Sequence, residues 1–325
     1  MRKFFIYLAL LLGITLALSF GLAAVLDVAY QRVRTGQTGG KINDYLHKEP
    51  QPELLIMGDS RALYQILPDS FHRPTYNLSH AGMYQIFQTG LLSVITQSRK
   101  PQVILLQVAP FEYIGPIETT TSAQNLKYYY GRNDTVTRYI NSISRYERYK
   151  YVYDLYRYNG RVLPLVKNLV DTYRKSDYGN GYIELPPTPR DSLNTVFSAV
   201  ADSNSRAARF HYPRLRYLQS FIQLCKQNNT KLICFTSPVY RRSTQAIHGT
   251  AVLDSFLRAN NVPYVDYIGR PLPELQRRGV YWKDARHLNL LGGSIQSQHL
   301  AAEVRRFLGG QPAADTVALA AQARN

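Results

Sequence analysis

The chain opens on an unbroken apolar stretch: residues 4–26 contain no charged side chain. About 20 apolar residues suffice to cross a bilayer as a helix, so the pattern predicts a membrane-spanning anchor within residues 1–30. A cleavable signal peptide is the competing expectation, since Arg2 and Lys3 form a basic head and Ser19, Gly21 and Ala23 offer small residues for cleavage. The apolar core of a signal peptide is normally shorter, which favours a retained anchor. Residues 31–52 turn polar and carry Gly36, Gly39 and Gly40, as expected of a stalk.

From residue 53 onward, short apolar runs alternate with helix-spaced positions. Residues 54–57 read as a buried strand, 61–67 as a short helix stopped by Pro68, and 75–77 as a second strand. Phe87, Leu91 and Ile95 share a helix face within 83–97, and 103–108 is a continuous apolar strand. After a long gap the rhythm resumes with Leu215, Leu218, Ile222 and Cys225 on one helix face and a strand at 231–235. A helix near 250–259, a strand at 262–267 and a helix over 293–307, buried through Ile295, Leu300, Val304 and Phe307, complete it. Strands alternating with helices predict an α/β domain over 53–309, with a parallel sheet of about five strands covered on both faces. An excursion at about 115–205 interrupts it, and the Ala-rich tail, 310–325, is expected to be loose.

Composition adds further constraints. The 325 residues include 39 Lys and Arg against 22 Asp and Glu, a formal charge of +17, which favours anionic surroundings. No zinc-finger or RNP pattern and no basic recognition arm accompanies that charge, so lipid headgroups and acidic envelope polymers are the expected partners and nucleic acid is not. Arg2 and Lys3 on one side of the anchor face Arg32, Arg34 and Lys41 on the other, and the positive-inside count does not set orientation. An anchor this close to the start usually acts as an export signal, which places the domain outside the cytoplasm. Cys225 and Cys234 lie in apolar context and are expected as small buried hydrophobes rather than as a disulfide. His47, His72, His211, His248 and His299 show no ligand spacing, so neither metal nor cofactor is expected.

Two short motifs carry the chemistry. Gly58-Asp59-Ser60 ends the first predicted strand, and Asp284-Ala285-Arg286-His287 follows the last. A serine hydroxyl is a poor nucleophile until a base takes its proton and a third group orients that base. The Asp-x-x-His spacing lets a carboxylate hold one ring nitrogen and leaves the other free for Ser60. Both motifs fall at carboxyl ends of parallel strands, where open α/β sheets build their sites.

With these blocks the chain resembles the SGNH (GDSL-type) hydrolases, over roughly 54–82 and 231–293. The resemblance implies a flavodoxin-like three-layer sandwich, with Ser60 as nucleophile, His287 as base and Asp284 as its orienter. It also implies an oxyanion hole from the Ser60 and Gly82 backbone N–H groups. Family esterases add a Gly-x-Asn-Asp block whose Asn donates to the oxyanion. This chain has Leu106-Gln107-Val108-Ala109-Pro110 instead, with Gln107 as the substitute donor within a strand. The anchor makes the chain similar to the membrane-bound branch that helps acetylate alginate or D-alanylate teichoic acids outside the cytoplasm. That branch implies a membrane-embedded acyl-donor protein as partner.

The resulting expectation is an extracytoplasmic serine esterase or O-acyltransferase acting on an envelope glycan or related polymer. Arg61, Ser237 and Tyr240 are candidate substrate contacts, while Asp59 and His80 read as structural. The alternative is a catalytically degenerate protein of the same fold that binds polymer or a membrane partner. Its binding surface would be the excursion, where thirteen tyrosines between Tyr128 and Tyr182 interleave with Arg132, Arg138, Arg145, Arg148, Arg157 and Arg174. Tyr139, Ile143, Tyr146, Tyr153 and Tyr156 follow helical spacing there and are expected to pack a helical subdomain onto the sheet.

Overall fold

The computed structural model describes residues 1–114, 119–175, 178–186, 210–276 and 279–309. The loose tail expected at 310–325, and the excursion residues 115–118, 176–177 and 187–205, lie outside them. Five parallel strands form one sheet in the order β2-β1-β3-β4-β5. They are β1 (Leu54–Met57), β2 (Thr75–Asn77), β3 (Val103–Gln107), β4 (Lys231–Thr236) and β5 (Tyr264–Asp266). The change of direction between β1 and β3 puts a crevice at their carboxyl ends, where doubly wound sheets bind ligands.

The two-residue alternation of the strands sorts the core into two layers. Leu55, Met57, Ile104, Leu106 and Cys234 face α2 (Lys41–His47), α4 (Gln85–Ile95), α8 (Leu215–Gln227) and α9 (Thr244–Ala259). Leu54, Ile56, Leu105, Ile233 and Phe235 face the other way, against α3 (Ser60–Gln65) and α10 (Leu290–Phe307). Both sheet faces are therefore covered, and the fold is a three-layer α/β sandwich of the flavodoxin-like kind. Cys225 and Cys234 are buried free thiols, the first pushed up to about 12 by desolvation.

α1 (Arg2–Arg32) is long and apolar enough to cross a membrane, with mean hydropathy 2.4 over its most apolar window. The polar segment after it is not a free tether. A π-turn over Gly36–Gly40 leads into α2, where Lys41, Ile42, Asn43, Asp44 and Tyr45 are all buried. Ile42 and Tyr45 join the sheet core, and the Tyr76 hydroxyl donates to Asp44 at 2.8 Å. Composition made this segment look solvated, yet Lys41, Asn43 and Asp44 find their hydrogen-bond partners inside the fold.

The excursion packs in pieces. α5 (Asp134–Asn141) is capped by the Asn133 side chain and buries Val136 and Ile140. α6 (Glu147–Lys150), a 3₁₀ turn over Asp154–Tyr158 and α7 (Val162–Arg174) follow. Tyr139, Ile143 and Tyr156 pack against the core as their spacing predicts, whereas Tyr146 and Tyr153 are exposed because the helix is broken between them. Other tyrosines stack in pairs, Tyr30 on Tyr128 and Tyr130 on Tyr151, each with centroids 3.6 Å apart.

Candidate active site

β1 ends at Met57 and the chain reverses into α3 through Gly58, Asp59 and Ser60. Gly58 adopts φ +154°, and a Cβ there would lie 2.6 Å from Gln107 Cβ and 2.9 Å from Ala62 Cβ. Only glycine lets the turn pass this close to β3. Asp59 caps α3 by accepting the Arg61 N–H at 2.7 Å, and its other oxygen pairs with the Arg61 guanidinium at 2.9 Å. Ser60 is thereby fixed at the first helical position, half-buried.

On the opposite side of the crevice, Trp282 and Leu288 form an antiparallel bridge that closes a tight loop. The Lys283 N–H donates to the His287 carbonyl at 2.8 Å across it. The loop presents His287 so that Nε2 lies 2.8 Å from Ser60 Oγ, while Nδ1 lies 2.9 Å from Asp284 Oδ2. Asp284 Oδ1 also accepts the backbone N–H groups of Arg286 at 2.7 Å and His287 at 2.9 Å. Burial raises the Asp284 carboxyl, but the His287 ring and these N–H donors outweigh it and hold it below its ordinary value. A carboxylate so held favours the tautomer with the proton on Nδ1, leaving Nε2 to accept from Ser60.

Three further side chains brace this arrangement and were not singled out by sequence. Tyr64 meets the His287 ring edge-on at 5.9 Å, Gln65 Nε2 donates to the Arg286 carbonyl at 3.1 Å, and Gln88 Nε2 donates to the Gly58 carbonyl at 2.8 Å. The position of Tyr64, one helical turn after Ser60, was the available signal.

Among the candidate oxyanion groups, Gly82 is exposed at φ +72° in the loop after β2. That loop is fastened from the α1–α2 segment: the Gln37 side chain accepts the Ala81 N–H at 2.6 Å, and Lys41 Nζ donates to the Ser79 carbonyl at 2.8 Å. Burial drives the Lys41 ammonium well below its usual pKa, against the pull of Asp44. His80 is buried in the same loop and pushed down to about 3, chiefly by desolvation and then by Lys41, which fits a structural role. Gln107 Oε1 accepts the Asp59 N–H at 3.1 Å, and its buried Nε2 has no partner.

Two of the expected substrate contacts are corrected. Arg61 is buried, bound to Asp59 and stacked 5.5 Å from the Phe111 ring, so it holds the serine turn rather than offering a free cation. Ser237 is fully buried, with its hydroxyl 3.4 Å from Gln296 Nε2. Tyr240 does line an open cavity of about 570 Å³, together with Arg241, Arg242, Ile247, Leu272 and Trp282. Its backbone N–H donates to the Ala285 carbonyl at 3.2 Å, which joins this cavity to the His287 loop.

Glu112 is buried behind the serine turn and accepts the Gln85 N–H at 2.7 Å. Desolvation, opposed by the Gln85 N–H and reinforced by Asp59, pushes its carboxyl from 4.5 up to about 8. The folded state therefore keeps a proton that the unfolded chain releases, so this group weakens the fold progressively as pH rises from about 4.5 to about 8. Glu112→Gln keeps an acceptor for Gln85 and cannot ionise. Its melting temperature should exceed that of the wild type by a few degrees above pH ~8 and converge with it below pH ~4.5. Thermal melts across that range check this.

The fold and site together define an α/β protein with a preassembled Ser-His-Asp chain at the carboxyl edge of its sheet. A parallel sheet between two layers of helices is the fold that the resemblance to SGNH hydrolases implies. No protein-family model matches the chain, and no curated protein sequence matches it. Solved structures do match. A candidate acylhydrolase from Bacteroides fragilis shares 13% identity over 80% of this chain and 90% of its own, with TM-score 0.40. A GDSL-like lipase from Bacteroides thetaiotaomicron shares 12% over 78% and 85%, with TM-score 0.36. A candidate platelet activating factor from Streptococcus pneumoniae shares 14% over 82% and 89%, with TM-score 0.31.

Proposed function

We propose that the chain is a membrane-anchored serine esterase or O-acyltransferase whose domain lies outside the cytoplasm and works on acyl esters of an envelope glycan or related polymer. The observation that carries this reading is the continuous path from Ser60 Oγ through the His287 ring to Asp284, at 2.8 and 2.9 Å. In the reaction, Ser60 Oγ attacks the ester carbonyl as His287 Nε2 takes its proton, and Asp284 stabilises the imidazolium that forms. Backbone N–H groups at Ser60 and Gly82 bear the oxyanion, with Gln107 Nε2 as a third donor. His287 then returns the proton to the departing alcohol, and water or a sugar hydroxyl takes the acyl group from Ser60 by the reverse sequence. The cavity lined by Tyr240, Arg241 and Arg242 suits a sugar or an anionic group.

Replacement of the family Asn by Gln107 favours a second reading, in which the fold is retained for binding alone. A fluorophosphonate probe separates the two. Incubated with the full chain in detergent and read by intact mass, it should add one adduct to the wild type and none to His287→Ala. A folded wild type that takes no adduct would favour the binding role.

A further inference from the structure

α7 is apolar on two faces. Leu165 is buried and Leu169 packs beside it against Tyr30 and Val33 at the end of α1. On its other face, Leu163 is 82% exposed, and Val166, Val170 and Tyr173 are exposed with it. A surface helix ordinarily turns its polar residues to water; α7 carries Lys167, Asp171 and Arg174, yet it also turns Leu163, Val166, Val170 and Tyr173 away from the protein.

Its placement along α1 supplies the second observation. The Arg34 N–H donates to Thr172 Oγ1 at 2.9 Å, and Thr35 Oγ1 donates to the Asn168 carbonyl at 2.9 Å. Thus the C-terminal half of α7 lies level with the polar end of α1. At the other end, Val162 shares an apolar groove with Leu18 and Leu22, and the Leu155 N–H donates to Ser19 Oγ at 3.2 Å. Ser19 lies seven residues inside the uncharged stretch, about 10 Å at 1.5 Å per residue. The N-terminal end of α7 and the turn before it are therefore beside the part of α1 that a bilayer would cover.

Resting on the reading of α1 as a membrane anchor, we propose that α7 and the Tyr149–Val152 turn form a second membrane contact, dipping into the same leaflet as the C-terminal third of α1. The occupant of the exposed apolar face is lipid. Interfacial elements bury their apolar faces to about 5–10 Å, which matches the depth set by the Ser19 contact. Charge agrees: Arg145, Arg148, Lys167, Arg174 and Lys175 are exposed around this face, which suits anionic headgroups. The excursion is then a keel that fixes the tilt of the domain on the membrane.

The test uses the full chain, with its two native thiols buried, in vesicles of phosphatidylcholine and phosphatidylglycerol. Single cysteines at Leu11→Cys, Leu163→Cys, Tyr173→Cys and Ile247→Cys carry an environment-sensitive fluorophore, and doxyl-lipids serve as quenchers. Leu163→Cys should be quenched several-fold more than Ile247→Cys, with Tyr173→Cys in between. A label at 163 no more quenched than one at 247, while Leu11→Cys is strongly quenched, would overturn the second contact and leave the anchor standing. A label at 11 that lipid quenchers do not reach would overturn the anchor, and this inference with it.

Discussion

Ser60→Ala is expected to bring acyl turnover down to background, a loss on the order of 10⁵- to 10⁶-fold, with the melting temperature unchanged. Among the described residues the side-chain partner of its hydroxyl is His287 Nε2, and the turn that carries it is held by Gly58, by the Asp59 cap and by Gln107, none of which the substitution touches. Alanine is also a good helix former at the first position of α3. Hydrolysis of an activated acetyl ester, measured beside a thermal melt, reads both effects. Turnover surviving at a tenth of wild type in a folded variant would place the nucleophile elsewhere.

Asp284→Asn should cost about three to four orders of magnitude in turnover while leaving the loop in place. An amide oxygen can still accept the Arg286 and His287 N–H groups that the carboxylate accepts now. Its nitrogen, however, can only donate toward His287 Nδ1. That selects the tautomer with the proton on Nε2, facing Ser60, where it cannot act as a base. Fluorophosphonate labelling of Ser60 should therefore slow steeply rather than vanish, and stopped time courses by intact mass would resolve the difference. Labelling at the wild-type rate would mean that His287 is oriented by something other than Asp284.

The sheet was legible because its central strands are buried on both faces and appear as apolar runs, as at Leu54–Met57 and over 103–106. Helix faces were legible where their spacing is regular, as with Leu218, Ile222 and Cys225 in α8. The motifs of Ser60 and of Asp284 with His287 could be read locally, since Ser60 follows directly on β1 and the Asp-x-x-His loop directly precedes the last helix. What sequence hid was the fate of polar residues that are drawn inside. Arg61 looked like a ligand group, yet Asp59, two residues earlier, takes its charge. Lys41 and Asp44 looked like stalk, yet both are buried against the domain. Ser237 follows a strand end just as Ser60 does, but Gln296 and the core close over it. The fates of Lys41, Asp44 and Ser237 depend on Ser79, Tyr76 and Gln296, which lie far along the chain and which local pattern does not encode.

The fastening of the loop after β2 by Gln37 and Lys41 bears on where Ser60 can reach. With α1 embedded as proposed, Gln37 follows the last residue of the uncharged stretch by eleven positions, on the order of 15 Å along a mostly helical path. The same short segment grips the loop that carries Gly82. The anchor then acts as a ruler, holding the mouth of the crevice at a set height above the lipid. Esters displayed within that narrow shell would be served, and the same ester on a distant stretch of polymer would go untouched until the polymer came down to it.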